Sequence, residues 1–76
     1  MQKQTFINQM KAHGYETTTP TGNGNITATK GDITIRLVPL ADYIVYIDTP
    51  AVTAIVRKDT TDAETMNIIA ALTGQP

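Results

Sequence analysis

Residues 25–38 read Asn25-Ile26-Thr27-Ala28-Thr29-Lys30-Gly31-Asp32-Ile33-Thr34-Ile35-Arg36-Leu37-Val38, and the fold turns on them. Ile26 and Ala28 alternate with Thr27 and Thr29. After Lys30-Gly31-Asp32, Ile33, Ile35 and Leu37 alternate with Thr34, Arg36 and Val38. Side chains of a strand point to opposite faces in turn, so a strict period of two marks a strand with one covered side. Two such runs flanking a glycine turn predict a β-hairpin.

Working outward toward residue 1, Tyr15–Thr19 is threonine-rich, and Thr19 precedes Pro20, which disfavours helical backbone at that position. Residues 2–13 carry Phe6, Ile7 and Met10 at helical spacing. Lys11 and His13 suit the negative end of a helix dipole, and Gly14 suits the left-handed residue past a helix end. Tyr15 is expected to fold back on Met10. In the other direction, Pro39–Asp42 breaks the chain and Tyr43–Ile47 follows, apolar on both faces, as central strands are. Asp48-Thr49-Pro50 turns it back into a last strand, Val52–Arg57. A closing helix over 62–73 opens on Thr61 and Glu64 at capping-box spacing, and Gly74 ends it. Its covered face is expected to hold Ala63, Met66, Ile69, Ala70 and Leu72, with Glu64, Asn67 and Ala71 outside.

The order is therefore helix, about five strands, helix. Short connections require antiparallel neighbours, because a parallel pair needs a crossover of about a dozen residues. The expected fold is two-layer α+β, an antiparallel meander with the N-terminal and C-terminal helices packed on one face, in a single small domain over residues 1–76.

Composition narrows the function. The chain has 76 residues, 41% hydrophobic and 17% charged, with a formal net charge of -1. It lacks the broad basic field of a dedicated DNA binder. It has no cysteine, which removes disulfides and thiolate metal sites and favours a cytoplasmic setting. No run of 18 apolar residues or charged leader points to a membrane. No serine is available as a nucleophile, and 14 threonines favour strands and exposed sheet faces.

Thr21-Gly22-Asn23-Gly24-Asn25 resembles the start of a dinucleotide fingerprint, but Thr27 stands where the third glycine belongs and a strand follows instead of a helix. Asn23-Gly24 is a turn pair, so the loop is expected to connect the first two strands. Asn25-Ile26-Thr27 matches the glycosylation tripeptide without a secretory signal beside it. His13 has a structural reason at a helix end. Asp42 and Asp48 bracket a strand and stand roughly 20 Å apart at the strand rise, too far for paired-carboxylate chemistry. Asp59, Asp62 and Glu64 suit a helix start. No catalytic residue, metal ligand or cofactor site is assigned, and a non-enzymatic protein is expected.

The informative feature is strand phase. With Ile26, Ala28, Ile33, Ile35, Leu37, Val45, Val52, Ala54 and Val56 facing the helices, alternation sends Thr27, Thr29, Thr34, Arg36, Val38, Ile44, Tyr46, Thr53, Ile55 and Arg57 outward. Threonines suit a solvated face. Val38, Ile44, Tyr46 and Ile55 do not, and with Arg36 and Arg57 they form a candidate partner-binding patch. Its expected partner is another protein or a second copy of the chain. The alternative is a nucleic-acid-binding module on Tyr46, Arg36 and Arg57, with lysine support from Lys30 and Lys58. By analogy, a chain of this kind suits a small accessory or inhibitor protein such as phages and mobile elements encode.

Overall fold

A computed structural model describes residues 1–18, 24–57 and 59–74. The elements are α1 (Lys3–Ala12), β1 (Glu16–Thr17), β2 (Ile26–Lys30), β3 (Ile33–Val38), a 3-10 turn (Pro39–Ala41), β4 (Ile44–Asp48), β5 (Thr53–Val56) and α2 (Asp62–Thr73). The five strands form one antiparallel sheet in the order β1-β2-β3-β4-β5.

The hairpin on which the fold turns closes more tightly than the sequence implies. Lys30 pairs with Ile33, so only Gly31 and Asp32 make the turn. Gly31 takes φ 61 while Asp32 stays negative, the combination of a type II′ turn, whose twist matches that of the strands. At the other hairpin, Thr49 N donates to Val52 O at 2.8 Å and Val52 N donates to Thr49 Oγ1 at 3.0 Å. Val52 therefore belongs to the turn and is exposed. Its expected place under the helices is corrected for that reason.

The connection from β3 to β4 departs from the sequence reading as well. Asp42 and Tyr43 both adopt left-handed backbone, at φ 59 and 60. Tyr43 thus ends a tight turn and does not begin the strand. Such backbone is uncommon for residues other than glycine, and it is held here by packing of the half-buried Tyr43 against the core.

Both helices lie on the same face of the sheet. Phe6 and Met10 of α1 and Ile69 of α2 share a core with Ile26, Ala28, Ile35, Leu37, Val45, Ile47 and Val56, the inward residues of β2 to β5. Burying one such aliphatic side chain contributes about 1.5–3 kcal/mol before entropy is counted. α1 packs on β1 and β2. The C-terminal end of α2 stands beside Ile33, Thr49 and Ala51, on the other side of the same layer.

The end of α1 is a Schellman motif. Gly14 N donates to Lys11 O and Tyr15 N to Met10 O, with Gly14 at φ 84. Tyr15 and Met10 are both buried there. Thr61 caps α2 by accepting from Glu64 N at 3.1 Å, and its hydroxyl donates to the Glu64 carboxylate at 2.9 Å. On the covered face of α2, Thr65 replaces the expected Ala63, which is exposed. Thr65 satisfies its hydroxyl by donating to Thr61 O at 2.9 Å, so the polar group can be buried.

Candidate functional site

The face opposite the helices is organised by register into three cross-strand rows. The central row runs Thr18, Thr27, Arg36, Tyr46, Ile55 from one edge to the other. One neighbouring row runs Glu16, Thr29, Thr34, Asp48, Thr53. The other places Val38 opposite Ile44, and one step past the last paired residues Ile44 stands opposite Arg57. All six candidate residues therefore lie on one face, in two adjacent rows over β3, β4 and β5. The β1–β2 half of the face is filled by threonine and Glu16.

Within the patch, the Arg36 guanidinium sits 5.1 Å from the centre of the Tyr46 ring, within cation–π range. Ile55 is 57% exposed, while Val38, Ile44 and Tyr46 are half-buried by their neighbours. Two shallow hollows flank this strip. One is lined by Thr34, Arg36, Tyr46, Asp48 and Thr53. In it Thr53 Oγ1 donates to Asp48 Oδ1 at 3.2 Å. The other lies between Asp42, Ile44, Arg57 and Asp59.

The sequence reading missed Leu40. It is 81% exposed in the connection that joins Val38 to Ile44, so it extends the apolar character at that end of the sheet. An apolar residue between proline and alanine, where turns usually place polar residues, was the available signal.

Lys30 lies on the other face. Its ammonium donates to His13 O at 3.0 Å and lies 5.5 Å from the centre of the Tyr15 ring. It thus joins β2 to the negative end of α1 and is not available to the outer patch. Lys58 lies outside the described residues, as do Thr19 and the Gly22-Asn23 part of the glycine loop. Gly24, at φ 80, has the positive backbone angle expected of a turn.

His13 Nδ1 is 2.9 Å from Gln9 O, within its own helix end. Asp42 and Asp48 are exposed at opposite ends of β4. Among the described residues no three histidine or carboxylate side chains converge on a point that could hold a metal. No described helix is long and apolar enough to cross a membrane.

Burial raises the Tyr15 phenol above 10.0, partly offset by Thr73 beside it. Among the described residues the Tyr15 hydroxyl has no partner at hydrogen-bond geometry. The Thr73 hydroxyl spends its own proton on Ile69 O at 2.7 Å.

Comparison with protein-family models, curated proteins and solved structures finds no match. The functional reading therefore rests on the geometry of the face itself.

Proposed function

We propose that this chain is a non-enzymatic protein-interaction module that docks through the helix-free face of its sheet. The observation that carries the reading is the gathering of Val38, Ile44, Tyr46 and Ile55 into adjacent rows, with Arg36 and Arg57 beside them. A small domain gains nothing in stability by leaving such residues outward, and apolar patches rimmed by polar groups mark interfaces. Tyrosine and arginine are enriched among the residues that dominate interface energies. In this reading Tyr46 is the anchor, Ile44 and Ile55 supply apolar area, and Arg36 and Arg57 set orientation. A small accessory or inhibitor protein would act by occupying its partner's surface in this way. The absence of cysteine favours a cytoplasmic setting.

The nucleic-acid alternative on Tyr46, Arg36 and Arg57 has weaker support. Lys30 faces away, and the Arg36 guanidinium already occupies the ring a base would stack on. Titration with single-stranded oligonucleotides at two salt concentrations separates the readings, since phosphate binding falls steeply with salt.

The deciding experiment compares the wild-type chain with Tyr46→Ala in capture of partners from the native host, with circular dichroism as the check on folding. The expected result is a native spectrum with association weakened by about 2 kcal/mol or more. A folded Tyr46→Ala variant that captures the same proteins equally well overturns the reading.

A further inference from the structure

We infer that the free edge of β5 pairs with the same edge of a second copy of the chain, about a two-fold axis through Ile55. The inference deepens the interaction reading by naming a partner for the rim of the same face, yet it concerns the edge and can fail separately.

The hydrogen-bond phase of the sheet identifies the free groups. Thr49 and Val52 form a hydrogen-bonded pair, and such pairs alternate with non-bonded ones along an antiparallel ladder. Ala54 and Val56 therefore bond to β4, while the backbone N–H and C=O groups of Thr53 and Ile55, and the N–H of Arg57, point away from the sheet. The same alternation predicts that Thr18 and Thr27 bond, and Thr18 N does donate to Thr27 O at 2.9 Å. The carbonyl of Arg57, just past β5, accepts from Thr60 N at 3.1 Å, whereas the outward groups of Thr53 and Ile55 have no backbone partner among the described residues.

The two edges of the sheet are not alike. β1 is two residues long and offers a neighbour almost nothing. β5 is Thr53-Ala54-Ile55-Val56, with no charge, no proline and no break in its register with β4. Lysine, proline, bulges and very short strands are the usual protections against edge pairing. β1 has one of them, whereas β5 has none within Thr53–Val56 and meets its first charge at Arg57.

A symmetric antiparallel pair is self-complementary here in one register above others. Centred on Ile55, it sets Ile55 against Ile55 of the second copy, and Thr53 of each copy against Arg57 of the other. The Ile55 pair exchanges both backbone bonds, and the Arg57 N–H of each copy donates to Thr53 O of the other, while Arg57 O stays with Thr60 N. A centre at Ala54 pairs Arg57 with Ala51, which lies in the turn before the strand. A centre at Val56 sets Thr53 against Asp59, beyond the strand. Charge agrees with an antiparallel pair, which brings Arg57, just past each β5, toward Asp48 on β4 of the other copy. Arg57 of each copy then lies beside Thr53 of the other, whose hydroxyl holds Asp48. The formal net charge of -1 opposes such pairing only weakly. On the outer face, the central row becomes continuous, Arg36-Tyr46-Ile55 followed by the same residues in reverse.

The test measures mass by sedimentation and amide exchange by NMR on the wild-type chain from micromolar to about millimolar concentration. The expected result is a monomer–dimer equilibrium in which the Thr53 and Ile55 amides become more protected as concentration rises. Ile55→Pro should remain folded, because its N–H serves no bond among the described residues and edge strands tolerate proline, and it should be monomeric. Tyr46→Ala should still dimerise. A wild-type chain monomeric throughout overturns the inference, as does protection at Thr53 and Ile55 that ignores concentration or appears only with a foreign chain. A dimer lost in Tyr46→Ala but kept in Ile55→Pro overturns the edge while leaving the face reading intact. Should Ile55→Pro fail to fold, the wild-type exchange data decide.

Discussion

Arg36 and Tyr46 are direct partners across β3 and β4, and the guanidinium lies 5.1 Å from the ring centre. The pair links the charged and apolar parts of the exposed face. Its stabilising effect is expected to be small, because both members reach solvent. A double-mutant cycle with Arg36→Ala and Tyr46→Ala, read by urea unfolding, should give a coupling of about 0.5–1 kcal/mol. No measurable coupling would mean that the two side chains are neighbours without an attraction.

Strand phase makes a sharper contrast between positions on the same hairpin system. Leu37 is fully buried under the helices and Ile55 is 57% exposed. Leu37→Ala should destabilise by about 2–5 kcal/mol, a transfer cost plus a cavity. Ile55→Thr should change stability by no more than about 0.5 kcal/mol. Denaturant midpoints of the two variants check the assignment of faces directly.

Alkaline stability is expected to depend on Tyr15. Its phenol is raised in the folded chain, so the folded state holds the proton more tightly than the unfolded one. Below about pH 10 the phenol is neutral in both states and its contribution to stability is fully present and flat. As pH rises from there through the folded value, unfolding releases a proton and stability falls. Tyr15→Phe should remove that part of the alkaline decline, and at neutral pH it should cost little because the hydroxyl it deletes is unbonded among the described residues. A wild-type and variant pair that decline in parallel would contradict this.

Gly31 and Thr61 are expected to show local costs of different origin. An added Cβ at Gly31 meets nothing within 4 Å, but the residue sits at φ 61. Gly31→Ala should therefore cost about 1–2 kcal/mol from backbone strain alone. Thr61→Ala removes the side chain that accepts from Glu64 N and should cost about 1 kcal/mol. Thermal melting of each single variant and of the double variant should show additive losses, since the two positions share no partner.

Much of this architecture is written in local patterns. The alternation of Ile33, Ile35 and Leu37 with Thr34, Arg36 and Val38 placed each side chain on its observed face, because a one-residue slip would have put every apolar group in water. The bounds of α2 follow from a cap at each end. What escaped the pattern depended on tertiary context. Val52 continues the alternation of β5, yet the Thr49 hydroxyl binds its N–H and draws it into the turn. Thr65 looks like a surface residue until its bond to Thr61 O is known. Lys30 reads as a free surface charge, but its long side chain reaches the end of α1. The six residues of the patch were placed together by alternation. The openness of the β5 edge was not legible, because it requires knowing which strands lie at the margins.

The consecutive order β1-β2-β3-β4-β5 also has a kinetic consequence. From β2 to β5 each strand finds its mate across a short connection, so this part of the sheet can zip one ribbon at a time with little loop entropy lost at each step. Only the docking of the two helices joins distant parts of the chain. Folding is therefore expected to be fast for a sheet of five strands, and the slowest step should be the arrival of α2.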